Sequence, residues 1–181
     1  YGAAPSAVGL ALREHKNLGI HTEMFVDSMR VLMVEGVVDN SKKAIDRGKT
    51  VYTFAAGTRE TYAFLNENPH IEGHPVDYTN DVSVIARHNG IVAINATVAI
   101  DLTGQACSES IGGMQYSGTG GQADFIRGAM LADKGRSFLV THSTAKEGKY
   151  SSIVSDLAQG SIVTTARTDI DMVVTEYGVA E

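Results

Sequence analysis

The sequence predicts an α/β fold, an open mixed sheet with helices on both faces, and three observations support this class. Strand-like and helix-like patterns alternate over the first two thirds of the 181 residues, as they do in α/β domains. The apolar run Ile91–Leu102 is rich in β-branched residues and lacks alternation, which is typical of a central strand covered on both faces. Strand patterns dominate the last third, so we expect the fold to be β-rich toward the C-terminus.

The predicted helices follow from apolar residues spaced three and four apart. In one of them Met29, Leu32 and Met33 show this spacing, and Gly36 supplies a natural end. Thr58 is a candidate N-cap for the next helix. The predicted helices are Ser6–Lys16, Val26–Glu35, Thr58–Asn66 and Gln122–Asp133.

The remaining predicted strands are short and apolar, and several end at glycine or at polar residues. The segment Lys146–Lys149 has the composition of an exposed hairpin turn. Besides Ile91–Leu102, the predicted strands are Leu18–Phe25, Val51–Ala55, Phe138–His142, Ser152–Ser155, Ser161–Ala166 and Asp171–Thr175.

Glu23 is the most informative single residue, because it interrupts the apolar strand Leu18–Phe25 just before a predicted helix. Glutamate is rarely hidden unless it is paired or used. A strand-to-helix switch is also where α/β folds place their ligands. Since a carboxylate is already ionised near pH 7, Glu23 could act as a nucleophile without a separate base. The alternative is an ion-paired or half-exposed glutamate.

A glycine-rich segment, residues 111–122, directly precedes the predicted helix Gln122–Asp133. Glycines before a helix N-terminus let backbone N–H groups approach a ligand. The spacing matches neither the dinucleotide fingerprint nor a P-loop, so the standard modes of phosphate binding are unsupported. We expect a loop that lines a site, and the alternative is a flexible turn.

Charge and composition exclude several classes of partner. The net charge of −6 argues against nucleic acid, which needs a basic surface, although a few local Lys or Arg residues could still bind a small anion. No run of about 18 apolar residues could span a bilayer. The single cysteine, Cys107, fits a reducing compartment and is expected to be a buried thiol. We therefore expect a cytoplasmic protein that binds neither membranes nor nucleic acid.

Six histidines raise the question of a metal site. His70 and His74 are close in sequence, but they do not form a His-Glu-x-x-His motif. Pro69, Gly73 and Pro75 make a helix improbable here, so the two rings would not share a helical face. We predict no metal.

Taken together, six ordered sequence blocks resemble the C-terminal domain of the acetyl-CoA hydrolase/transferase family. The resemblance covers essentially the whole chain. Its members are single-chain CoA-transferases that act on acetate, butyrate, 4-hydroxybutyrate or succinate. The matching blocks are Gly19–Met24, Asp77–Asn80, Asn95–Val98, Gly118–Phe125, Ser143–Lys146 and Thr175–Gly178.

The resemblance implies roles for individual residues. Glu23 is similar to the family's catalytic glutamate, which forms an acyl-glutamyl anhydride and a glutamyl-CoA thioester. Gly121, with Gly120, matches the glycine whose N–H helps to form the oxyanion hole. The implied contacts with coenzyme A are Val98, Gly121, Lys146, Gly2 and Ala3. The implied substrate-binding residues are His21, Asn80 and Glu176.

The same resemblance implies the nature of the protein. Residues 1–181 are expected to be the C-terminal catalytic domain of a CoA-transferase, without its N-terminal domain and its extreme C-terminus. Coenzyme A would be a co-substrate, acyl-CoA and small carboxylates the substrates, and the intact enzyme a homodimer. The alternatives are an acetyl-CoA hydrolase and a catalytically incomplete CoA-binding domain.

Overall fold

The structure is a computed structural model that describes residues 3–181, with side chains described from residue 7 onward. It has the predicted mixed α/β class, with helices and several small sheets. Six α-helices lie in this part of the chain, and a 3₁₀ turn over Leu12–Glu14 follows the first. The helices are α1 (Ala3–Ala11), α2 (Asp27–Val34), α3 (Arg59–Leu65), α4 (Val76–Thr79), α5 (Val82–Ile85) and α6 (Gln122–Leu131).

Three predicted helices are confirmed to within two residues as α2, α3 and α6, whereas Ser6–Lys16 is displaced, because α1 ends at Ala11 and a 3₁₀ turn follows. Helices α4 and α5 were not predicted. Thr58 does occupy the N-cap position of α3, but its hydroxyl donates to Asp27 instead of capping the helix. Because Asp27 begins α2, this bond ties the starts of α2 and α3 together. None of the helices between residues 3 and 181 combines the length and apolarity needed to cross a bilayer.

Fifteen short strands lie in residues 3–181. The first nine are β1 (Met24–Val26), β2 (Thr50–Tyr52), β3 (Phe54–Ala56), β4 (Ile71–Gly73), β5 (Val92–Ala96), β6 (Ala99–Asp101), β7 (Ala106–Cys107), β8 (Ser110–Ile111) and β9 (Met114–Gln115). The others are β10 (Arg136–Val140), β11 (Thr144–Ala145), β12 (Tyr150–Ser151), β13 (Ile153–Val154), β14 (Met172–Thr175) and β15 (Gly178–Ala180).

The largest sheet is mixed and has the strand order β15-β14-β10-β5. Strands β5, β10 and β14 are parallel, and β15 returns antiparallel to β14. The register pairs Val140 with Ala96 and with Val174, so the three parallel strands end at one edge. The other strands form a three-stranded sheet β13-β6-β7 and the pairs β1-β3, β2-β4, β8-β9 and β11-β12.

The prediction of one central strand over Ile91–Leu102 is wrong. The run is divided into β5 and β6, which belong to different sheets, and β5 lies at an edge of its sheet. The break falls at Thr97 and Val98, where the Thr97 hydroxyl bonds the carbonyls of Ala99 and Cys107. A side chain that bonds nearby backbone competes with a continuous ladder, and hydropathy does not record this.

Three other predicted strands differ in detail. Val51–Ala55 is divided between β2 and β3, because the amides of Thr53 and Phe54 both donate to the Glu23 carbonyl. In Leu18–Phe25 only the end belongs to β1, and the earlier residues make isolated bridges. Ser161–Ala166 forms no strand and contributes a single bridge to Ala106.

Two apolar clusters support these elements. The first cluster packs α2 against the segment that precedes β1. It consists of Ile20, Leu32, Val37 and Val38. The other joins α6 to strands β6, β7 and β10 and consists of Ile100, Ala106, Ile126 and Leu139. The second cluster holds α6 on the largest sheet, and this fixes the position of the helix N-terminus.

Gly128 allows α6 to approach α5 closely, because a Cβ at this position would overlap the Ile85 side chain. Helix propensity alone predicts that Gly128→Ala stabilises the protein by about 1 kcal/mol. We expect the opposite, a loss of roughly 1–3 kcal/mol from overpacking, measured by urea unfolding. Met130→Ala changes an exposed position of the same helix and should stay within about 0.5 kcal/mol. Unchanged or increased stability of Gly128→Ala would contradict the packing argument.

Candidate functional site

Glu23 lies immediately before β1 and is held by its backbone. Its carbonyl accepts hydrogen bonds from the amides of Thr53 and Phe54, both at 3.0 Å. These bonds begin the parallel pairing of β1 with β3, in which Met24 faces Phe54. The side chain is half-buried, so the carboxylate is restrained in position but retains access to a ligand.

Asn80 holds one oxygen of this carboxylate. It follows the short helix α4, and its Nδ2 donates to Glu23 Oε2 at 2.5 Å. Among the described residues Glu23 Oε1 has no hydrogen-bond partner, and no salt bridge involves Glu23. One oxygen is therefore fixed by a neutral donor while the other remains available.

Gly121 lies against the same carboxylate. It is the buried N-cap residue of α6, and a Cβ there would overlap both Glu23 Oε2 and Asn80 Nδ2. Its φ of −93° is open to any residue, so glycine is required here by space and not by backbone conformation. Gly120 differs, because it is exposed and has a φ of +62° that favours glycine.

The N-terminus of α6 therefore lies beside the Glu23 carboxylate. The first amides of a helix have no acceptor within the helix, and the helix dipole favours negative charge there. Only four residues separate the end of α6 from β10, so the helix runs back along the strand. Its N-terminus consequently lies toward the edge at which the parallel strands β5, β10 and β14 end.

Three other predicted site residues follow the strands that end at this edge. Val98 comes after β5 and is exposed, and its amide donates to the Cys107 carbonyl. Lys146 lies in the turn between β11 and β12, shortly after β10, with its Nζ 5.5 Å from the centre of the Tyr150 ring. Glu176 comes directly after β14. In α/β sheets, ligands bind outside the carboxyl ends of parallel strands.

In the described part of the chain, no hydrogen bond joins Glu176 to Glu23. Its two carboxylate oxygens accept from the backbone amide of Ser143, at 2.8 Å, and from the Ser143 hydroxyl, at 2.5 Å. The hydroxyl bond is the largest cause of a lowered pKa of Glu176. Glu176 thus joins the ends of β10 and β14. Its predicted contact with substrate stays a prediction.

His21 is another of the substrate-binding residues that the family resemblance implies. Its Nε2 bonds the Thr79 carbonyl at 2.8 Å, and its ring is 4.5 Å from the ring of His88, centre to centre. Since a carbonyl only accepts, Nε2 carries the proton and Nδ1 does not; Nδ1 is buried without a partner. Burial lowers the pKa of His21, and it lowers that of His88 to about 3. Both rings are therefore neutral at pH 7.

His21, His88 and Asp46 place ligand-type atoms within 4.8 Å of one another, as a metal site would require. Lys43 opposes a cation there. It is buried, its Nζ donates to the carbonyls of Ile20 and Lys49, and its positive charge helps to depress the pKa of both histidines. Burial lowers the pKa of Lys43 itself to about 8. The arrangement favours a buried polar network over a metal site.

The two predicted coenzyme A contacts at the start of the chain are a separate case. Gly2 lies outside the described residues, and Ala3 is described only as the first residue of α1. Four residues of this region had no predicted role, namely Thr53, Thr79, Lys43 and His88. Thr79 lies in the block Asp77–Asn80 without an implied function, and the other three belong to no quoted block, so only the fold brings them here.

Comparisons with known proteins identify the family. The profile of the acetyl-CoA hydrolase/transferase C-terminal domain matches residues 57–181. This chain belongs to the acetyl-CoA hydrolase/transferase family. Glu23 lies before the matched range, so the family assignment reaches this residue only through relatives that align with the whole chain.

Relatives of this family cover nearly the whole chain. It is 54% identical over 181 residues to a succinyl-CoA:cyclohexane-1-carboxylate CoA transferase from Geobacter metallireducens, spanning 100% of this chain and 41% of the relative. It is 51% identical to a 4-hydroxybutyrate coenzyme A transferase from Clostridium kluyveri, spanning 99% and 42%. The crystal structure of RipA from Yersinia pestis superposes with a TM-score of 0.94 at 46% identity, spanning 99% and 40%. The chain thus spans about two fifths of the length of these proteins.

The buried imidazole of His88 should make stability depend on pH. Its pKa is lowered in the folded state, so below the ordinary histidine pKa of 6.5 the unfolded state binds more protons. The stabilisation is therefore present above that pH and is lost as the pH falls toward the folded value of about 3. We expect the free energy of unfolding to fall by roughly 2–3 kcal/mol between pH 7 and pH 4.5, at about 1.4 kcal/mol for each pH unit. Urea unfolding at several pH values measures this.

His88→Gln should weaken that dependence, because one buried titrating imidazole is gone while His21, whose pKa burial also lowers, remains. His15→Gln removes an exposed imidazole and should leave the slope as it is. The partners that face His88 are His21, Lys43, Asp46 and Arg87, and they remain in both variants. An unchanged slope in His88→Gln would show that another group causes it.

Proposed function

We propose that this chain is the C-terminal catalytic domain of a CoA-transferase that moves coenzyme A between an acyl-CoA and a short-chain carboxylate. The observation that carries the proposal is the Glu23 carboxylate, fixed through Oε2 by Asn80, free at Oε1 and packed against Gly121. The relatives named as CoA transferases give the reaction class. Their names also suggest the substrate class, which is a small organic acid such as 4-hydroxybutyrate or a cyclic carboxylate.

The proposed reaction begins with attack by Glu23 Oε1 on the thioester carbonyl carbon of the acyl-CoA. The C–S bond breaks, the thiolate of coenzyme A leaves, and an acyl-glutamyl anhydride forms. The thiolate then attacks the Glu23 Cδ, the carboxylate product leaves, and a glutamyl-CoA thioester remains. A second carboxylate reverses both steps and leaves with coenzyme A. No proton has to be transferred, so the proposed reaction needs no general base.

Negative charge develops on the carbonyl oxygen in each attack, and donors must be in place to stabilise it. We assign this role to the Gly121 amide, with Gly120 shaping the turn before it. Val98 and Lys146 follow strands that end at the same sheet edge, which supports the predicted contacts with coenzyme A. The exposed ammonium of Lys146 can meet a phosphate of the cofactor.

A site of this type has to exclude water, since water would hydrolyse the anhydride or the thioester. The described surface has exposed apolar side chains in or beside the segments that form the site, such as Tyr116 at 80% and Tyr177 at 86% exposed. Exposed apolar patches mark surfaces that bind partners. We propose that the N-terminal domain of the full-length protein covers them and closes the site. The family resemblance further suggests a homodimer, and the free, buried Cys107 agrees with a cytoplasmic location.

The decisive experiment uses the full-length protein that contains this chain. After incubation with an acyl-CoA, intact-protein mass spectrometry should detect a covalent coenzyme A adduct, and peptide mapping should place it on Glu23. Glu23→Ala should abolish both the adduct and transfer, because no other described group can replace the carboxylate. Glu14→Ala changes an exposed acid on the 3₁₀ turn and should behave as the parent. Near-normal transfer by Glu23→Ala would overturn the assignment.

The same assay separates transfer from hydrolysis. A transferase releases coenzyme A from the adduct only when a carboxylate acceptor is present. Release of free coenzyme A at an undiminished rate without an acceptor would favour the hydrolase alternative. An adduct that never forms would favour a binding domain without activity.

Gly121→Ala should separate catalysis from folding. The added methyl group would displace the Glu23 carboxylate or the Asn80 amide, and misplacement of a reacting group by about 1 Å can reduce the rate 10²-fold. We therefore expect kcat to fall by about 10²-fold, measured in the transfer assay, while the far-UV circular dichroism spectrum stays unchanged. Gly118→Ala in the same segment places its Cβ in open space and should keep near-normal kcat. Equal activity of the two variants would remove Gly121 from the site.

A further inference from the structure

A closed ring of hydrogen bonds passes through Glu23 and includes Thr53 and Thr79, to which the sequence assigned no role. The Thr53 amide donates to the Glu23 carbonyl at 3.0 Å, and the Thr53 hydroxyl bonds that of Thr79. The Thr79 hydroxyl is 3.2 Å from Asn80 Oδ1, and Asn80 Nδ2 donates back to Glu23 Oε2 at 2.5 Å. The ring therefore starts at the backbone of Glu23 and returns to its carboxylate.

The number of hydroxyl protons determines which group donates in each hydrogen bond of this ring. Asn80 Oδ1 can only accept, so the Thr79 hydroxyl must donate to it. A hydroxyl has one proton, so Thr79 must accept from Thr53. The Pro75 carbonyl, at 3.4 Å, is a more distant alternative acceptor for Thr79. Donation by Thr79 orients the Asn80 amide with Nδ2 toward Glu23.

Thr79 is itself tightly fixed. Its side chain is fully buried, its amide donates to the Pro75 carbonyl at 3.2 Å, and its carbonyl accepts from His21 Nε2 at 2.8 Å. A fully buried hydroxyl has no water with which to exchange its partners. The bond to Asn80 is thus maintained whether Glu23 is ionised or acylated, and the charge of the carboxylate is not needed to hold the amide in place.

We propose that Thr53 and Thr79 are positioning residues that act through Asn80 to fix Glu23 Oε2 and to aim Oε1 at the acyl carbon. This inference rests on the function proposed above. A hydrogen bond fixed before reaction costs no reorganisation during it. The ring should therefore affect kcat for transfer and leave the KM for acyl-CoA nearly unchanged, because neither threonine needs to touch the substrate.

The test measures steady-state transfer and single-turnover formation of the coenzyme A adduct in the full-length protein. Thr79→Val keeps the volume but removes the hydroxyl, and kcat should fall about tenfold, the loss expected for one buried hydrogen bond. Thr79→Ser keeps the hydroxyl and should recover kcat to within about threefold of the parent. The kcat of Thr53→Val should fall by a similar factor. The kcat of the double variant should be little lower than that of either single variant, since both residues belong to one network.

Thr50→Val is the matched control. Thr50 is also fully buried, and its hydroxyl bonds Asn40 and the Met33 sulfur instead of the ring. This variant should lose stability but keep kcat. If Thr79→Val and Thr53→Val lost no more kcat than Thr50→Val, the threonines would be ordinary core hydroxyls and the inference would be wrong.

The two proposals fail in different ways. Transfer that persists in Glu23→Ala overturns the proposed function, and the inference with it. Transfer that is abolished in Glu23→Ala but normal in both threonine variants overturns the inference alone. If Thr79→Val does not fold, Thr53→Val gives the same comparison, because Thr53 is only half-buried.

Discussion

The site depends on the approach of three distant chain segments to one carboxylate, at a distance that leaves no room for a side chain at Gly121. Glu23 comes before β1, Asn80 follows α4, and Gly121 begins α6. Each segment is anchored on its own side, by the pairing of β1 with β3, by the buried Thr79 and by the apolar cluster under α6. The carboxylate keeps its position because all three segments are anchored, and the bond between the Thr53 and Thr79 hydroxyls links two of the anchors.

The sequence predicted the reactive groups better than it predicted their supports. Glu23 could be identified because glutamate is rarely placed in an apolar strand unless it is paired or used. Gly121 could be identified because glycines before a helix N-terminus indicate a ligand-binding loop. Asn80 emerged only through the family resemblance. Thr53 carries no sequence signal, and Thr79 lies in the block Asp77–Asn80 without an implied role, because the value of both threonines lies in contacts made by folding. The structure brings Glu23, Asn80 and Gly121 into contact, whereas Val98, Lys146 and Glu176 share only a sheet edge with them.

The errors in the predicted fold have a common physical cause. Three of the four predicted helices match α2, α3 and α6 to within two residues, because helical hydrogen bonds are local and apolar spacing reports them. Long apolar runs were predicted as continuous strands, but Thr97 and Thr53 interrupt them. At Thr97 the hydroxyl adds bonds to the carbonyls of Ala99 and Cys107, and at Thr53 the Glu23 carbonyl accepts from two successive amides. Both sets of bonds depend on contacts that form only when the chain folds, so hydropathy alone cannot reveal them.

The neutral hydrogen-bond partner of Glu23 suits the proposed reaction, in which the carboxylate loses its charge. Attack on an acyl carbon converts the anion into a neutral anhydride, so a cation paired with Glu23 would stabilise the ground state more than the product. Among the described residues the buried cation Lys43 is directed instead at two backbone carbonyls. The two nearby imidazoles are kept neutral by burial. An amide can hold one oxygen in both states, because the anhydride or thioester carbonyl remains an acceptor. The surroundings of Glu23 thus fix its geometry without opposing its chemistry.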